Sequence, residues 1–331
     1  MADPIRVVQY GLGPIGSAIA RHVVERRGLT LVGAVDIDPQ KVGRDAGEVI
    51  GLERPLGFPI RARLSEVLAE TSADVAVHST SSYFKLFKPQ ITEILEAGLD
   101  VVSTAEELSF PWIAHPTEAE EIDAVARRCG KTVLGTGVNP GFLMDTLPIT
   151  LTAICQSVDH IAVTRVVDAS KRRGPFQLKI GAGMTPEAFQ EKMATGRMGH
   201  VGLRESMDHI ADTLGRRLVH YEEHMEPVLA EHPIYTPYVE VKPGQVRGLK
   251  QIGRGYTESG EFIVLTFIAA LEAGDEQDII LIEGKPDLEV VLRGTNGDLA
   301  TVAMAVNVIP RVVTAPPGLV TMRDLPPVHY W

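Results

Sequence analysis

The sequence predicts an α/β protein in which a doubly wound parallel sheet is followed by a second, α+β domain with a largely antiparallel sheet. Three observations predict it. Up to about residue 145, short apolar runs alternate with amphipathic stretches of helical period, the pattern of strands joined by crossover helices. The first run leads directly into Gly11, Gly13 and Gly16 in G-x-G-x-x-G spacing. Beyond Asp145 the alternation stops, and apolar runs follow one another with turns between them.

The first strand is IRVVQY (5–10), and the helix after it carries Ile15, Ala18, Ile19 and Val23 on one face before Gly28 closes it. LTLVGAVD (29–36) is the second strand, and a short helix is expected around Leu64, Val67 and Leu68. ADVAVHS (73–79) is the third strand. The next helix is expected to open at Pro89, with Ile91, Ile94 and Leu95 inward, and to stop at Gly98. Strand LDVVST (99–104) follows, then a helix after Pro116 with Ile122, Val125 and Cys129 on one side, then strand KTVLGTG (131–137). In the second part, 160–170, 217–224, 237–244, 261–273 and 278–284 read as strands. Helices bearing Phe189 and Met193, then Met207, Ile210 and Leu214, lie between the first two. The stretch 299–313 is apolar with helical period and is expected to return to the first domain. The expected boundaries are therefore 1–145, 146–298 and 299–331.

A chain of 331 residues suits two domains, and 44% hydrophobic residues suffice for their cores. The formal net charge of -11 argues against nucleic acid and anionic membrane surfaces as partners. Cys129 and Cys155 are the only cysteines and lack C-x-x-C spacing, so neither a disulfide framework nor a thiolate metal site is expected. MADPIRVVQY lacks the pattern of a signal peptide, and no apolar run approaches the roughly 18–20 residues that cross a bilayer. The expectation is a soluble, cytoplasmic protein. The histidines offer no metal spacing on a helix; His160, His209, His220 and His224 read as surface positions, whereas His200 in MGHVG could line a pocket.

The glycine triplet gains its meaning from context. It lies between a predicted strand and a predicted helix, and Asp36 ends the next strand. In the Rossmann-type arrangement, Gly11 permits the tight turn, Gly13 lets the backbone approach a pyrophosphate, and Gly16 allows close helix–strand packing. Pro14 and Ile15 open the helix, whose N-terminal N–H groups favour phosphate. Asp36 would accept hydrogen bonds from the adenosine ribose and repel a 2′-phosphate, which favours NAD over NADP; Lys41 and Arg44 could soften that preference.

Ligands of an open parallel sheet lie beyond the carboxyl ends of its strands. Three predicted segments end there: HSTSSY (78–83), STAEEL (103–108) and GVNPGF (137–142). Ser79, Thr80 and Ser81 can offer hydroxyls to the cofactor or cap local backbone. Asn139, with Pro140 and Gly141, can shape a sharp bend and also present an amide to cofactor or substrate, with Phe142 and Met144 close behind. Glu106 and Glu107 continue a buried strand beside Phe110 and Trp112. In an extended segment their side chains point opposite ways, so one of them is expected to face the nicotinamide. Desolvation and a neighbouring like charge raise a carboxyl pKa, which would make that glutamate a general base; the alternative is a solvated or helix-capping pair.

With YGLGPIG, STAEELSFPW, GTGVNPGFLMD and GDLATVAMAVNVIP…PGLVTMRDLP in view, nearly the whole chain resembles the 2,4-diaminopentanoate dehydrogenase family and its relatives, the native amine dehydrogenases. These share an N-terminal domain with dihydrodipicolinate reductase. The resemblance implies interconversion of a small amine or diamino acid with a ketone or aldehyde and ammonia, using NAD or NADP. It also implies a catalytic glutamate within Glu106–Glu107. Glu107 is favoured because T-A-E-E is similar to the T-A-N-K turn of homoserine dehydrogenases, whose lysine takes that last place. The paired histidines and K-x-x-x-P-S-G-T-type anion site of dihydrodipicolinate reductase have no counterpart here. Arg165, Lys171, Arg172 and Arg173 either bind a substrate carboxylate or form a basic solvated loop. A carbonyl or imine reductase without ammonia, and a non-catalytic redox sensor, are the competing readings. A homodimer is expected, because the second domain's sheet needs both faces covered.

Overall fold

The structure is a computed structural model that describes residues 3–195 and 198–331. The chain divides into two compact units, Met1–Phe142 with Asn296–Trp331, and Leu143–Thr295.

Unit one holds a six-stranded, wholly parallel sheet. Its strands are β1 (Ile5–Tyr10), β2 (Leu29–Val35), β3 (Val75–His78), β4 (Asp100–Ser103), β5 (Thr132–Gly135) and a closing strand, Gly318–Val320. Their order across the sheet is closing strand, β5, β4, β3, β1, β2. Every residue of β3, β4 and β5 is buried, as expected of strands covered on both faces. Side chains alternate between two cores. Val7, Val77 and Val102 face Ile19, Val23, Val302 and Val306, while Val8, Ala76 and Val101 face Phe87, Ile91 and Ile122. Helix Gly297–Asn307, capped by Asn296, and the short helix Ile309–Val312 thus pack in the first of these cores beside helix Pro14–Glu25. Arg26 stacks over Tyr330 at 3.9 Å and bonds Asn307 Oδ1 at 2.7 Å, tying the last residues to the same face.

The helix expected to begin at Pro89 runs from Phe84 to Glu96 with Pro89 inside it. Buried Phe84 and Phe87 extend the apolar stripe of Ile91, Ile94 and Leu95 back by almost two turns, and this burial outweighs the hydrogen bond that proline cannot donate.

Unit two is built on β6 (Ser157–Asp168), β7 (His220–Leu229), the two-residue pair β8 (Ile234–Tyr235) and β9 (Glu240–Val241), β10 (Val246–Thr257), β11 (Gly260–Ala270), β12 (Gln277–Lys285) and β13 (Leu288–Arg293). The main sheet has the order β13-β12-β6-β11-β10-β7, antiparallel except between β6 and β11. Helices Pro186–Ala194 and Leu203–Thr213 cover one face, where Phe189 meets Phe267 and Met207 meets Ile263 and Ile280 in two apolar clusters. Of the expected strand 237–244 only Glu240–Val241 forms, while β10 and β13 were not expected. The sequence of β10, VRGLKQIGRGYT, looks like loop because of its glycines. A Cβ at Gly253 would lie 2.7 Å from Met207 Cε, and one at Gly255 2.9 Å from Leu218, so glycine lets these side chains approach the strand. His209, expected at the surface, is 2% exposed. No described helix is long and apolar enough to cross a membrane.

Candidate active site

The parallel register aligns Tyr10, His78, Ser103 and Gly135 in one row across the carboxyl edge of the unit-one sheet. Each loop that leaves this row continues the ladder for one more step: Ser79 N bonds Tyr10 O at 2.9 Å, Thr104 N bonds His78 O at 3.0 Å, and Thr136 N bonds Ser103 O at 2.8 Å. The chain moves outward from β1 to β2 and then resumes on the other side at β3, so the switch in strand order falls between β1 and β3.

The glycine loop sits at that switch. Gly11 has φ +90°, and a Cβ there would lie 2.6 Å from Ser79 O. A Cβ at Gly16 would lie 2.0 Å from Gly11 O, whereas one at Gly13 would meet nothing within 4 Å. Gly13 therefore borders open space, and it begins helix Pro14–Glu25 without a side-chain cap, leaving first-turn amides available to an anion. Pro14 is exposed and Ile15 half-buried. Buried Gln9 pins the loop from beneath: its Nε2 donates to Gly11 O at 2.9 Å and to Ser79 Oγ at 2.8 Å. Gln9 escaped the sequence reading, though an amide inside the buried run of β1 was a signal for it. Ser79 Oγ also lies 3.2 Å from Gly11 O, so its hydroxyl shapes the loop.

At the end of β2, Asp36 Oδ2 accepts from Leu12 N at 2.8 Å and Lys41 Nζ at 3.1 Å, and Oδ1 accepts from Asp38 N at 2.9 Å. Burial alone would raise its pKa, but these donors outweigh burial and hold the carboxyl below its usual range. Ile37, 86% exposed, follows as an apolar platform beside it. An uncapped helix start, a glycine cradle and an ionised carboxylate at the next strand end fit a nicotinamide dinucleotide.

His78 is wholly buried at the end of β3. Its Nε2 lies 2.8 Å from Gln90 Oε1 and 2.9 Å from Thr80 Oγ1, and its Nδ1 lies 2.9 Å from Ser103 Oγ. Burial lowers its pKa to about 4 against the opposing bond to Gln90, so the ring is neutral. Since Gln90 Oε1 only accepts, Nε2 carries the proton and Nδ1 accepts from Ser103 Oγ. Ser103 Oγ in turn accepts from Ala105 N at 3.1 Å. The Thr80 hydroxyl donates to Gln90 Oε1 at 2.6 Å, and Ser81 Oγ accepts from Tyr83 N at 3.3 Å.

Glu106 and Glu107 are not in an extended segment. They open a 3₁₀ turn, Glu106–Leu108, in which successive side chains are about a third of a turn apart. Both are half-buried. The turn is fastened to the loop after β3: Glu107 N donates to Ser82 O at 3.3 Å, and Glu107 Oε2 accepts from Phe84 N at 2.5 Å, the start of helix Phe84–Glu96. His115 Nε2 stands 3.7 Å from the same carboxylate. Beyond β5, Asn139 is 9% exposed and precedes Pro140 through a cis peptide bond, and Gly141 has φ +122°. Phe142, half-buried, ends this part of unit one.

The remaining candidates lie in unit two. Arg165 is 3% exposed in β6 and donates to Asp278 Oδ1 at 2.7 Å; burial lowers its pKa while Asp278 opposes that shift. The His200 ring lies 4.9 Å from that of Phe267, and Gln251 clasps its backbone through His200 N (2.7 Å) and His200 O (2.9 Å). Burial, then the charges of Lys179 and Arg165, push the His200 pKa down to about 3. Arg165 and His200 therefore share one electrostatic neighbourhood. Met144 is fully buried among Ile161, Met207 and Ile263, which makes it a packing residue of the core. Among the described residues, no group of three or more His, Cys, Asp or Glu could hold a metal ion.

A parallel sheet with this loop at its switch point defines a dinucleotide-binding protein. The comparisons with known proteins narrow the class. The model for the 2,4-diaminopentanoate dehydrogenase C-terminal domain matches residues 142–331, and that for the dihydrodipicolinate reductase N-terminus matches residues 5–105. The chain belongs to the 2,4-diaminopentanoate dehydrogenase family. It is 34% identical to the 2,4-diaminopentanoate dehydrogenase of Acetoanaerobium sticklandii, over 98% of this chain and 94% of that protein. It is 25% identical to an amine dehydrogenase of Streptomyces virginiae, over 97% and 96% of the two chains. The solved amine dehydrogenase of Mycobacterium smegmatis superposes with a TM-score of 0.87 at 27% identity, covering 99% of this chain and 97% of that one.

Proposed function

We propose that the protein is an NAD(P)-dependent amine dehydrogenase that deaminates a small amine or diamino acid and, in reverse, aminates a ketone or aldehyde with ammonia. The observation that carries this reading is the fastening of the Glu106–Leu108 turn to the loop after β3, one strand from the glycine loop, in a chain of this family. Gly11, Gly13, Gly16 and Asp36 would hold the dinucleotide, with Pro14 and Ile15 at the helix start. The nicotinamide supplies or takes the hydride when bound.

The chain's own part is proton transfer and charge. Glu107 is fixed at Oε2 by the Phe84 amide and acts as the base: it takes a proton from the water that attacks the iminium, returns it to the nitrogen of the carbinolamine so that ammonia can leave, and takes the hydroxyl proton as the carbonyl forms. Its negative charge also stabilises the iminium cation. Glu106 is the neighbouring carboxylate that the test must separate from it. Within unit one, Asn139 and Phe142 are proposed substrate determinants; within unit two, Arg165 and His200 are, and Arg165 would favour a substrate carboxylate to the extent that Asp278 leaves its charge unanswered.

One face of the unit-two sheet is crossed by the row Val291, Ile279, Thr164, Thr266 and Ile252, of which Val291 is exposed and the others half-buried. We assign that face to a second copy of the chain, because it leaves Val291 exposed and Ile279 and Ile252 only half-buried, and a partner sheet would cover them. Light scattering on wild type and Ile279→Glu tests it, and a monomeric wild type would end the assignment.

The activity test is NAD(P)H consumption with ammonium and a panel of short ketones and aldehydes, each paired with its terminal carboxylate. Ammonium-dependent consumption is expected. Consumption without ammonium would favour a plain carbonyl reductase, and none at all across the panel would overturn the reading.

A further inference from the structure

An aspartate at the end of the second strand ordinarily grips both hydroxyls of the adenosine ribose and repels a 2′-phosphate. The surroundings of Asp36 do not permit that simple reading. A carboxylate oxygen has two lone pairs. Asp36 Oδ2 already accepts from Leu12 N (2.8 Å) and Lys41 Nζ (3.1 Å), and Oδ1 accepts from Asp38 N (2.9 Å). One acceptor position remains, on Oδ1. A ribose diol can have only one of its hydroxyls held unless Lys41 withdraws.

Lys41 is placed to do more than neutralise Asp36. Its ammonium also donates to Leu12 O at 3.1 Å, so it bridges the carboxylate to the glycine loop. Its side chain keeps 26% of its surface exposed, against 10% for Asp36, so Lys41 is the more accessible member of the pair. Asp38 Oδ2 stands 3.5 Å from the same ammonium, but that carboxylate is 40% exposed and therefore well screened. The neighbouring cations are otherwise engaged. Arg44 pairs with Glu48 at 2.7 Å and bonds Gln40 O, and Arg61 pairs with Glu70. Lys41 is also the cation in direct contact with Asp36, and so the one beside whatever the ribose 2′ position carries.

Resting on the dinucleotide-binding reading, we propose that Lys41 is the residue that sets cofactor choice, and that it lets this site accept the 2′-phosphate of NADP(H) alongside the free 2′-hydroxyl of NAD(H). The phosphate would extend the existing chain of charges, carboxylate to ammonium to phosphate, without asking Asp36 to give up a donor. The NAD preference expected from Asp36 alone is then largely cancelled.

Fluorescence titration of NADH and NADPH reads this without turnover. For wild type, the two dissociation constants should agree within about tenfold, and that of NADPH should rise the more steeply with salt. Lys41→Met should weaken NADPH by about tenfold or more and remove its extra salt dependence, while NADH binds no more weakly because Oδ2 is freed for the diol. Lys41→Arg should keep both nucleotides. A wild type that binds NADH but not NADPH would overturn the inference and leave the enzyme reading standing. A Lys41→Met protein that loses both nucleotides equally would also overturn it, by making Lys41 a support of the glycine loop. Failure of wild type to bind either nucleotide would overturn the dinucleotide reading and this inference with it.

Discussion

Replacing Gly135 with alanine should disable the enzyme through a residue that touches no ligand. Gly135 ends β5, and the turn that carries Glu106 and Glu107 lies directly on it. A Cβ at this position would be 2.4 Å from Leu108 C, 2.5 Å from Leu108 O and 2.7 Å from Ser109 N. Ordinary contact begins near 3.4 Å, so something must retreat by about 1 Å. β5 cannot, because it is paired on both sides, to β4 and to the closing strand. The turn must therefore withdraw, and the glutamates with it. A misplacement of about 1 Å commonly costs about 10²-fold in rate. The overpacking itself should cost about 1–3 kcal/mol, and in a domain of this size Tm falls by about 2–4 °C for each of those. The glycine loop follows β1, three strands away in the sheet, and should be untouched. The assay is kcat for reductive amination measured beside NAD(P)H affinity and Tm on the same protein. The expected result is a large fall in kcat, a moderate fall in Tm and a cofactor dissociation constant within about threefold of wild type. Full kcat together with a lowered Tm would show that the turn has no part in the chemistry.

Glu107→Gln retains an oxygen that can accept from Phe84 N, so it removes charge without releasing the turn. It should lower kcat by about 10²–10⁴ with Tm and cofactor affinity intact, whereas a larger loss in Glu106→Gln would move the base to that residue. Asp278→Asn removes the bonded counter-charge of the buried Arg165 guanidinium, leaving only the weaker influence of Glu276, and should destabilise by about 3 kcal/mol; urea unfolding of the single mutant and of the Arg165→Met double mutant, which should recover most of the loss, checks the pairing. His78 is neutral in the fold with a pKa of about 4, while an unfolded histidine titrates near 6.5. Between those values the unfolded chain binds the extra proton, so stability present above pH 6.5 should be lost as pH falls toward about 4. Unfolding free energy measured from pH 7 to pH 4 should slope less in His78→Asn, and an unchanged slope would remove His78 as the cause.

The first domain was legible because its signals are local. An apolar run, a glycine triplet and an amphipathic stretch each announce themselves within a dozen residues, and burial on both faces leaves β3, β4 and β5 without polar interruptions. What stayed hidden depends on distant partners. β10 reads as loop until Met207 and Leu218 are seen lying against its glycines. Pro89 reads as a helix start until Phe84 and Phe87 are seen to be buried with the rest of the stripe. The glutamate pair was correctly singled out as standing at a strand end, but its 3₁₀ geometry is set by contacts with Ser82, Phe84 and Gly135 that no window of sequence contains. Hydroxyls and amides were the least legible. Ser79 and Thr80 were candidates for direct ligand contact, and Gln9 and His78, which engage them, were overlooked because polar atoms on buried strands declare a network only when the strands are side by side.

The sheet of unit one takes its sixth strand from residues 318–320, which are made after the whole of unit two. During translation, β5 must wait at the growing sheet's edge with half of its backbone groups unpaired while the intervening residues leave the ribosome. Helix Gly297–Asn307, which covers one core of that sheet, arrives just as late. Completion of the nucleotide-binding unit therefore waits until unit two has been made, and a nascent chain stalled near residue 290 would carry the entire glycine loop yet lack the closing strand and the helix that finish its sheet and core.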